Sequence, residues 1–190
     1  MIKVLELFSG TRSIGKCCDK LGWESVSVDM ILPATHKCDI MDFDSPPCTN
    51  YSKLQDGFLG RMRKGQIYTR EIQEAEMKED DKLVIRTLEI IDYFNPEYYF
   101  IENPATSRMK DRPYMKDRPC YVVDYCMYSD WGYRKRTRFW TNKEGWDAKL
   151  CDKNCGNMVG NLHKTNLGNT ERKQKTKGKG TTQNDRYRIP

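Results

Sequence analysis

The chain has 190 residues and a net charge of +6, with 32% charged and 37% hydrophobic residues. This length suffices for one compact α/β domain with a buried core, and no run of about 18 apolar residues predicts a membrane span. Its eight cysteines are irregularly spaced, and the N-terminus lacks the features of a secretory signal peptide. We therefore expect an intracellular protein of the cytoplasm or nucleus with reduced thiols, not a disulfide-linked secreted protein.

The N-terminal part alternates strand and helix signals. Residues 3–8 (KVLELF) predict a buried strand, residues 13–23 a helix and residues 24–30 (ESVSVDM) a second strand. This βαβ order predicts a parallel sheet. Gly10 permits close approach of a ligand at the helix start, and Asp29 suits the hydroxyls of a ribose. An ordinary tight turn explains the same pattern, because the glycine fingerprint of nucleotide-binding folds is incomplete.

Cys48 lies in a short stretch with two prolines, DSPPCTNYS. The prolines restrict the backbone that presents the thiol, so the stretch fits either a nucleophile on a rigid turn or a buried cysteine. The polar residues 53–66 that follow predict a mobile loop. Residues 69–94 predict the longest helix of the chain, with Thr69 as its N-terminal cap and an apolar stripe on one face.

Three further strands are predicted, at residues 97–103 (EYYFIEN), 120–128 (CYVVDYCMY) and 136–142 (RTRFWTN). Glu102 is either a solvated strand end or an acid that is kept partly desolvated to carry a proton. Arg136 and Arg138 share one face of the last strand. They either point into a cleft or protect a strand edge from aggregation.

The hydrophobic periodicity fades from residue 143 onward, which predicts a loop-rich or poorly ordered segment. Residues 163–190 contain eight Lys or Arg against two acids, and this charge fits either polyphosphate contact or a solvated tail. Cys151, Cys155 and His163 are candidate metal ligands within 13 residues. Because no fourth ligand is evident and C-x3-C fits zinc sites only loosely, we predict no metal site.

Taken in this order, the motifs resemble those of the C5-cytosine DNA methyltransferases, in the compact form found in phages and large DNA viruses. The resembling segments are ELFSGTRSIG (6–15), SVDM (27–30), CDI (38–40), PPCTNYS (46–52), FIENP (100–104) and RTR (136–138). The resemblance implies an α/β, Rossmann-like, S-adenosylmethionine-dependent methyltransferase fold with a mostly parallel sheet and helices on both faces. It implies a catalytic domain at residues 1–142 and a vestigial target-recognition region at residues 143–190.

The resemblance also implies transfer of a methyl group from S-adenosylmethionine to C5 of a cytosine that is flipped out of double-stranded DNA. Cys48 is then the nucleophile that attacks C6, and Glu102 contacts N3. Arg138, with Arg136 as the weaker candidate, binds O2. The cofactor contacts are assigned to Phe8, Gly10, Asp29, Met30, Asp39 and Ile40, and the closing loop over the base to Arg61, Arg63 and Lys64.

The chain departs from the pattern of this family in three places. Arg12 and Ser13 stand where the family usually has glycine. The third motif ends so close to Pro46 that one strand of the sheet is expected to be missing, and the target-recognition domain is missing or vestigial. Two alternatives therefore stay open: cytosine methylation in RNA, and a catalytically inactive protein that binds nucleic acid or S-adenosylmethionine.

Overall fold

The computed structural model describes residues 1–7, 9, 12–29, 34–37, 49–165, 181 and 189–190. The chain divides into two compact units. The first comprises the described parts of Met1–Asp44, Val122–Thr137 and Asp147–Pro190, and the second those of Ser45–Tyr121 and Arg138–Trp146. The division into domains at residue 142 stays a prediction.

The first unit begins with the predicted βαβ arrangement. Strand β1 (Lys3–Leu7) pairs in parallel with β2 (Glu24–Asp29), and helix α1 (Ser13–Leu21) connects them. The two-residue strand β3 (His36–Lys37) extends this sheet beside β2, also in parallel. The parallel pairing predicted from the alternating strand and helix signals is therefore confirmed.

A hairpin follows the segment around Cys48. After a 3₁₀ helix at Lys53–Phe58, strands β4 (Met62–Arg63) and β5 (Gln66–Ile67) pair antiparallel. The turn residues Lys64 and Gly65 both have positive φ, at 51° and 79°, which is the backbone of the common two-residue hairpin turn. The stretch for which the sequence predicts a loop is thus partly regular structure.

Helix α2 (Arg70–Phe94) is the longest element of the second unit. Its predicted cap is confirmed, because the Thr69 side chain accepts a hydrogen bond from the N–H of Ile72. Asn95 caps the C-terminal end of the helix in a left-handed conformation with φ of 41°. Its apolar face packs into the hydrophobic core of the unit, which consists of Tyr51, Met77, Val84, Leu88, Ile101, Met109, Met115 and Trp140.

A second three-stranded sheet has the order β6–β8–β7, with β6 at Phe100–Pro104, β7 at Cys120–Asp124 and β8 at Arg136–Thr141. The N–H of Tyr125 donates to the carbonyl of Lys135, and the N–H of Thr141 donates to that of Pro119. Strands β7 and β8 therefore run in opposite directions. Strand β7 is shorter than predicted, because a 3₁₀ helix at Tyr125–Met127 follows it.

The described residues form a mixed structure of helices and small sheets. Strands β9 (Met158–Val159) and β10 (Leu162–His163) make an antiparallel hairpin in the otherwise loop-rich C-terminal segment. Among all the described residues there is no large parallel sheet. The single, mostly parallel sheet expected from the sequence is therefore not reproduced in them. The segment 38–48, where a strand was expected to be missing, lies outside the described residues. No helix among them is long and apolar enough to cross a membrane.

Candidate active site

Hydrogen bonds hold the residues that follow Cys48, while Cys48 itself lies outside the described residues. The carbonyl of Thr49 accepts a hydrogen bond of 3.0 Å from the side-chain amide of Gln55. The side-chain amide of Asn50 donates to the carboxylate of Asp80 on α2 at 3.1 Å. The backbone directly after the candidate nucleophile is therefore attached to two helices of the second unit.

Tyr51 anchors the same segment in the core. Its side chain is fully buried, and its hydroxyl donates to the carboxylate of Asp81 at 2.7 Å. The carbonyl of Tyr51 accepts the N–H of Arg108 at 2.9 Å, and Asp81 also accepts hydrogen bonds from Arg112 and Tyr114. Burial, followed by the hydrogen bonds with Tyr114 and Asp81, raises the pKa of Tyr51. Its hydroxyl therefore stays protonated and acts as a donor.

Strand β6 carries the Glu-Asn pair that the sequence singles out. Glu102 is partly buried, and Asn103 is only 3% exposed. The side-chain oxygen of Asn103 is buried and has no hydrogen-bond partner among the described residues. Because an unsatisfied buried polar atom costs free energy, such an atom at a strand end is a suitable contact point for a ligand.

Arg136, the weaker of the two arginine candidates, is engaged by a carboxylate. It forms two hydrogen bonds with Asp124, at 3.0 and 2.7 Å, and the side chain of Asp124 is fully buried. Burial opposes the ionisation of Asp124, but the hydrogen bonds from Arg136 and from the N–H of Cys151 outweigh it and lower its pKa. Arg136 therefore stabilises a buried charge within the first unit.

Arg138 has no carboxylate partner within the described part of the chain. Its guanidinium donates to the sulfur of Cys120 at 2.9 Å and lies 5.8 Å from the ring centre of Trp140. The Nε atom of Arg138 is buried without a hydrogen-bond partner in the described residues. Arg138 belongs to the same unit as Glu102, and it keeps donors that a ligand could use.

The residues assigned to the cofactor are only partly described. Asp29 lies at the end of β2 and is partly buried. Ser9 donates its N–H to the carbonyl of Val28 at 3.2 Å, and its hydroxyl is buried with no partner among the described residues. The other assigned residues lie outside the described residues, namely Phe8, Gly10, Met30, Asp39 and Ile40.

Arg12 stands where the C5-cytosine DNA methyltransferases usually have glycine, and its backbone adopts a conformation that favours glycine. Its φ of 55° lies in the left-handed region, which glycine adopts without a steric penalty.

The carboxylate of Glu6 caps α1 by accepting hydrogen bonds from the N–H groups of Ile14 and Gly15, each at 3.0 Å. Burial nevertheless raises the pKa of Glu6. A Cβ at Gly15 would lie 3.0 Å from the Arg12 guanidinium and 3.1 Å from the Glu6 carboxylate.

The basic side chains of the β4–β5 hairpin differ in their surroundings. Arg63 pairs with Glu76 at 3.3 Å and lies 4.7 Å from the ring centre of Tyr68, so it holds the hairpin against α2. Lys64 also pairs with Glu76, but it is exposed, and Arg61 is exposed as well. Of the three residues assigned to the closing loop, Arg61 and Lys64 are therefore the ones at the surface.

A cluster of metal-ligand residues lies in the first unit. Three members, Cys151, Cys155 and His163, are evident in the sequence, and the structure adds Cys126, with all four ligand atoms within 4.8 Å of one another. Sequence reasoning misses Cys126 because it lies 25 residues before Cys151, in a stretch with the pattern of a strand, and no local spacing connects the two.

Comparison with known proteins places the chain in a family. No family model matches the sequence. A curated protein of Frog virus 3 (isolate Goorha), named "Probable DNA (cytosine-5)-methyltransferase", is 38% identical over 215 aligned positions, which cover 100% of this chain and 95% of that protein. The chain therefore belongs to the DNA (cytosine-5)-methyltransferase family.

Proposed function

We propose that this chain transfers a methyl group from S-adenosylmethionine to C5 of cytosine in DNA through a covalent adduct on Cys48. The observation that carries the proposal is the anchoring of the residues that follow Cys48. Tyr51 and Asn50 are bound by neighbouring acids of α2, so the chain next to the thiol is held by the core of its unit. The similarity to a protein whose name states this activity supports the proposal over the full length of the chain.

The proposed chemistry begins at the thiol. C6 of cytosine is a weak electrophile, so Cys48 attacks it as a thiolate and forms a carbon–sulfur bond. Glu102 contacts N3 as this nitrogen gains a proton, and the electron pair becomes available at C5. S-adenosylmethionine, when bound, supplies the methyl group for C5 and leaves as S-adenosylhomocysteine. Loss of the C5 proton, return of the N3 proton to Glu102 and cleavage of the bond between C6 and Cys48 then restore the aromatic ring and the free thiolate.

Arg138 is the proposed ligand of the cytosine O2, where negative charge grows during the attack. The contacts in β8 support this choice over Arg136. Arg136 is held by a buried carboxylate, whereas Arg138 has a buried Nε without a partner among the described residues. A guanidinium with unused donors can bind a developing oxyanion without first breaking an ion pair.

The described part of the N-terminal βαβ arrangement fits S-adenosylmethionine. The carboxylate of Asp29, at the carboxyl end of a parallel strand, suits the ribose hydroxyls. The buried hydroxyl of Ser9 has no partner among the described residues, and a bound ligand would satisfy it. We assign the methionine side to Phe8 and Gly10, the ribose to Asp29, and the adenine to Met30, Asp39 and Ile40.

Duplex DNA is the proposed substrate, with the target cytosine flipped out at a cost of a few kcal/mol. The exposed Arg61 and Lys64 of the hairpin are suited to contact phosphates beside the extruded base, and the net charge of +6 favours DNA in general. We also propose that the protein has a Rossmann-like fold and an intracellular location.

A transfer assay with tritiated S-adenosylmethionine tests the function. The wild-type protein is expected to label unmethylated duplex DNA, and Cys48→Ser is expected to give no label above background. Cys17→Ser is the matched control, since Cys17 is exposed, and it should label DNA like the wild type. Label in RNA alone would favour the RNA alternative, and binding of S-adenosylmethionine without transfer to either nucleic acid would favour the inactive one.

A further inference from the structure

Four side chains with metal-binding atoms converge in the first unit. They come from three separate segments: Cys126 from the 3₁₀ helix after β7, Cys151 and Cys155 from the loop that follows residue 147, and His163 from β10. The three sulfurs and one imidazole nitrogen all lie within 4.8 Å of one another. Cys126 and Cys151 are buried, and Cys155 is partly buried.

The two distances from the His163 imidazole match those around a tetrahedral metal ion. The Nε2 atom of His163 lies 3.6 Å from the sulfur of Cys151 and 3.4 Å from that of Cys155. A Zn²⁺ ion with Zn–S bonds of about 2.3 Å and a Zn–N bond of about 2.0 Å separates its sulfur and nitrogen ligands by about 3.5 Å. These two sulfur–nitrogen distances are therefore those of ligands around a single ion, and all four ligand atoms lie close enough to converge on it.

Hydrogen bonds hold Cys151 and favour its charged form. The buried carboxylate of Asp124 accepts the N–H of Cys151 at 2.9 Å. The N–H of Lys153 donates to the sulfur of Cys151 at 3.4 Å, and Lys153 adopts a left-handed conformation with φ of 74°. An N–H group directed at a sulfur favours the thiolate, which is the form that binds a metal.

Asn157 joins the β9–β10 hairpin to the segment around Cys126. Its side-chain amide, in a residue only 3% exposed, donates to the carbonyl of Cys126 at 2.9 Å and to that of Ser129 at 2.7 Å. Its side-chain oxygen accepts the N–H of Gly132 at 2.9 Å. The hairpin that carries His163 is thus fastened beside Cys126 by a buried polar side chain.

We propose that Cys126, Cys151, Cys155 and His163 bind one structural Zn²⁺ ion. Three thiolates and one imidazole form a closed tetrahedral set, which leaves no open position for a substrate and is typical of structural zinc. Soft thiolates select zinc over hard cations such as magnesium. The ion stabilises a loop-rich segment with few apolar residues. This proposal departs from our prediction, made from the sequence, that the chain has no metal site.

The test measures zinc in the purified full chain, with any affinity tag removed, after reconstitution with Zn²⁺ under reducing conditions. We expect about one zinc per chain, as for a single four-ligand site. Cys151→Ser and His163→Ala should lose the ion, whereas His163→Cys should keep it because a fourth thiolate completes the same tetrahedron. Cys17→Ser, at an exposed cysteine, should keep the zinc as well.

A second measurement on the wild-type protein does not depend on the folding of the variants. Titration with an organomercurial thiol reagent should release the zinc as the cluster thiols react, and a chelator should lower the melting temperature. Substitution with Co²⁺ should give the visible absorption bands of a tetrahedral thiolate site. Wild-type protein that takes up no zinc, zinc retained in Cys151→Ser, or a disulfide among the three cysteines under reducing conditions would overturn the proposal.

Discussion

The hydroxyl of Tyr51 connects the segment after Cys48 to the carboxylate of Asp81 on α2. Tyr51→Phe removes this hydrogen bond but keeps the ring in the core, so we expect the free energy of unfolding to fall by about 1 kcal/mol. We expect kcat to fall by up to about 10²-fold, because small displacements of a nucleophile are costly.

The control for this variant is Tyr93→Phe, since Tyr93 is 83% exposed and should change neither quantity. Urea denaturation and the tritium transfer assay measure the two effects. Unchanged transfer by Tyr51→Phe would show that the anchoring does not position Cys48.

The two arginines of β8 differ in their contacts, and we expect their substitutions to have different effects. Arg138→Ala removes the proposed ligand of the cytosine O2 and should lower kcat by about 10²-fold. Arg136→Ala leaves the buried carboxylate of Asp124 without its main partner and should lower the free energy of unfolding by about 1–3 kcal/mol. Steady-state kinetics and urea denaturation of both variants measure these effects. A lower free energy of unfolding with unchanged kcat for Arg138→Ala, or a lower kcat with unchanged free energy of unfolding for Arg136→Ala, would contradict these roles.

Single residues show where sequence reasoning succeeds and where it ends. Thr69 is predictable as a helix cap because capping depends on a neighbour three residues away. Glu6 caps α1 from a different element, and Cys126 meets its cluster through a fold that brings distant segments together. Both contacts are long-range, so no local pattern in the sequence indicates them.

Asp56 links three elements of the second unit. Its carboxylate accepts two hydrogen bonds of 2.7 Å from Arg108, which begins a 3₁₀ helix at Arg108–Asp111. It also accepts bonds from Arg70 and Gln73 in the first turn of α2. The hydrogen bonds from Arg108 are the main cause that lowers the pKa of Asp56 from 3.8 to about 2.

The stability of the protein should depend on pH through Asp56. Because the folded pKa is lower than the unfolded one, its contribution is present above pH 3.8 and is lost as the pH falls toward about 2. The difference in urea midpoint between the wild type and Asp56→Asn should therefore shrink over this range. Asp117→Asn, at a carboxylate that is 85% exposed, should show no such change. A constant difference for Asp56→Asn across the range would be inconsistent with this assignment.

Elements with strong local signals are predicted well from the sequence, and those that depend on distant partners are not. Helix α2 has periodic apolar residues and a cap, and its predicted and observed bounds agree closely. The β4–β5 hairpin has the sequence pattern of a loop, because its Lys64-Gly65 turn is a weak signal and its strands are only two residues long. The contact between Arg63 and Glu76 supports it from α2. The predicted strand at β7 is too long, because its apolar pattern continues into a 3₁₀ helix.

At the level of the whole molecule, the order of the motifs along the sequence indicates the family, and the similarity to the Frog virus 3 protein supports that identification along the full chain. The architecture is less predictable. The described residues form two separate three-stranded sheets, whereas the resemblance implies one mostly parallel sheet. Motifs report the residues of a site, but strand pairing depends on long-range contacts that motif order does not encode.

Covalent trapping on duplex DNA that contains 5-fluorocytosine identifies the nucleophile directly. Fluorine at C5 cannot leave as a proton does, so the adduct persists after methyl transfer. With S-adenosylmethionine present, we predict a stable complex of protein and DNA, and mass spectrometry of its peptides should find the modified base on Cys48. No complex with the wild-type protein, or an adduct on another cysteine, would contradict the assignment of Cys48 as the nucleophile.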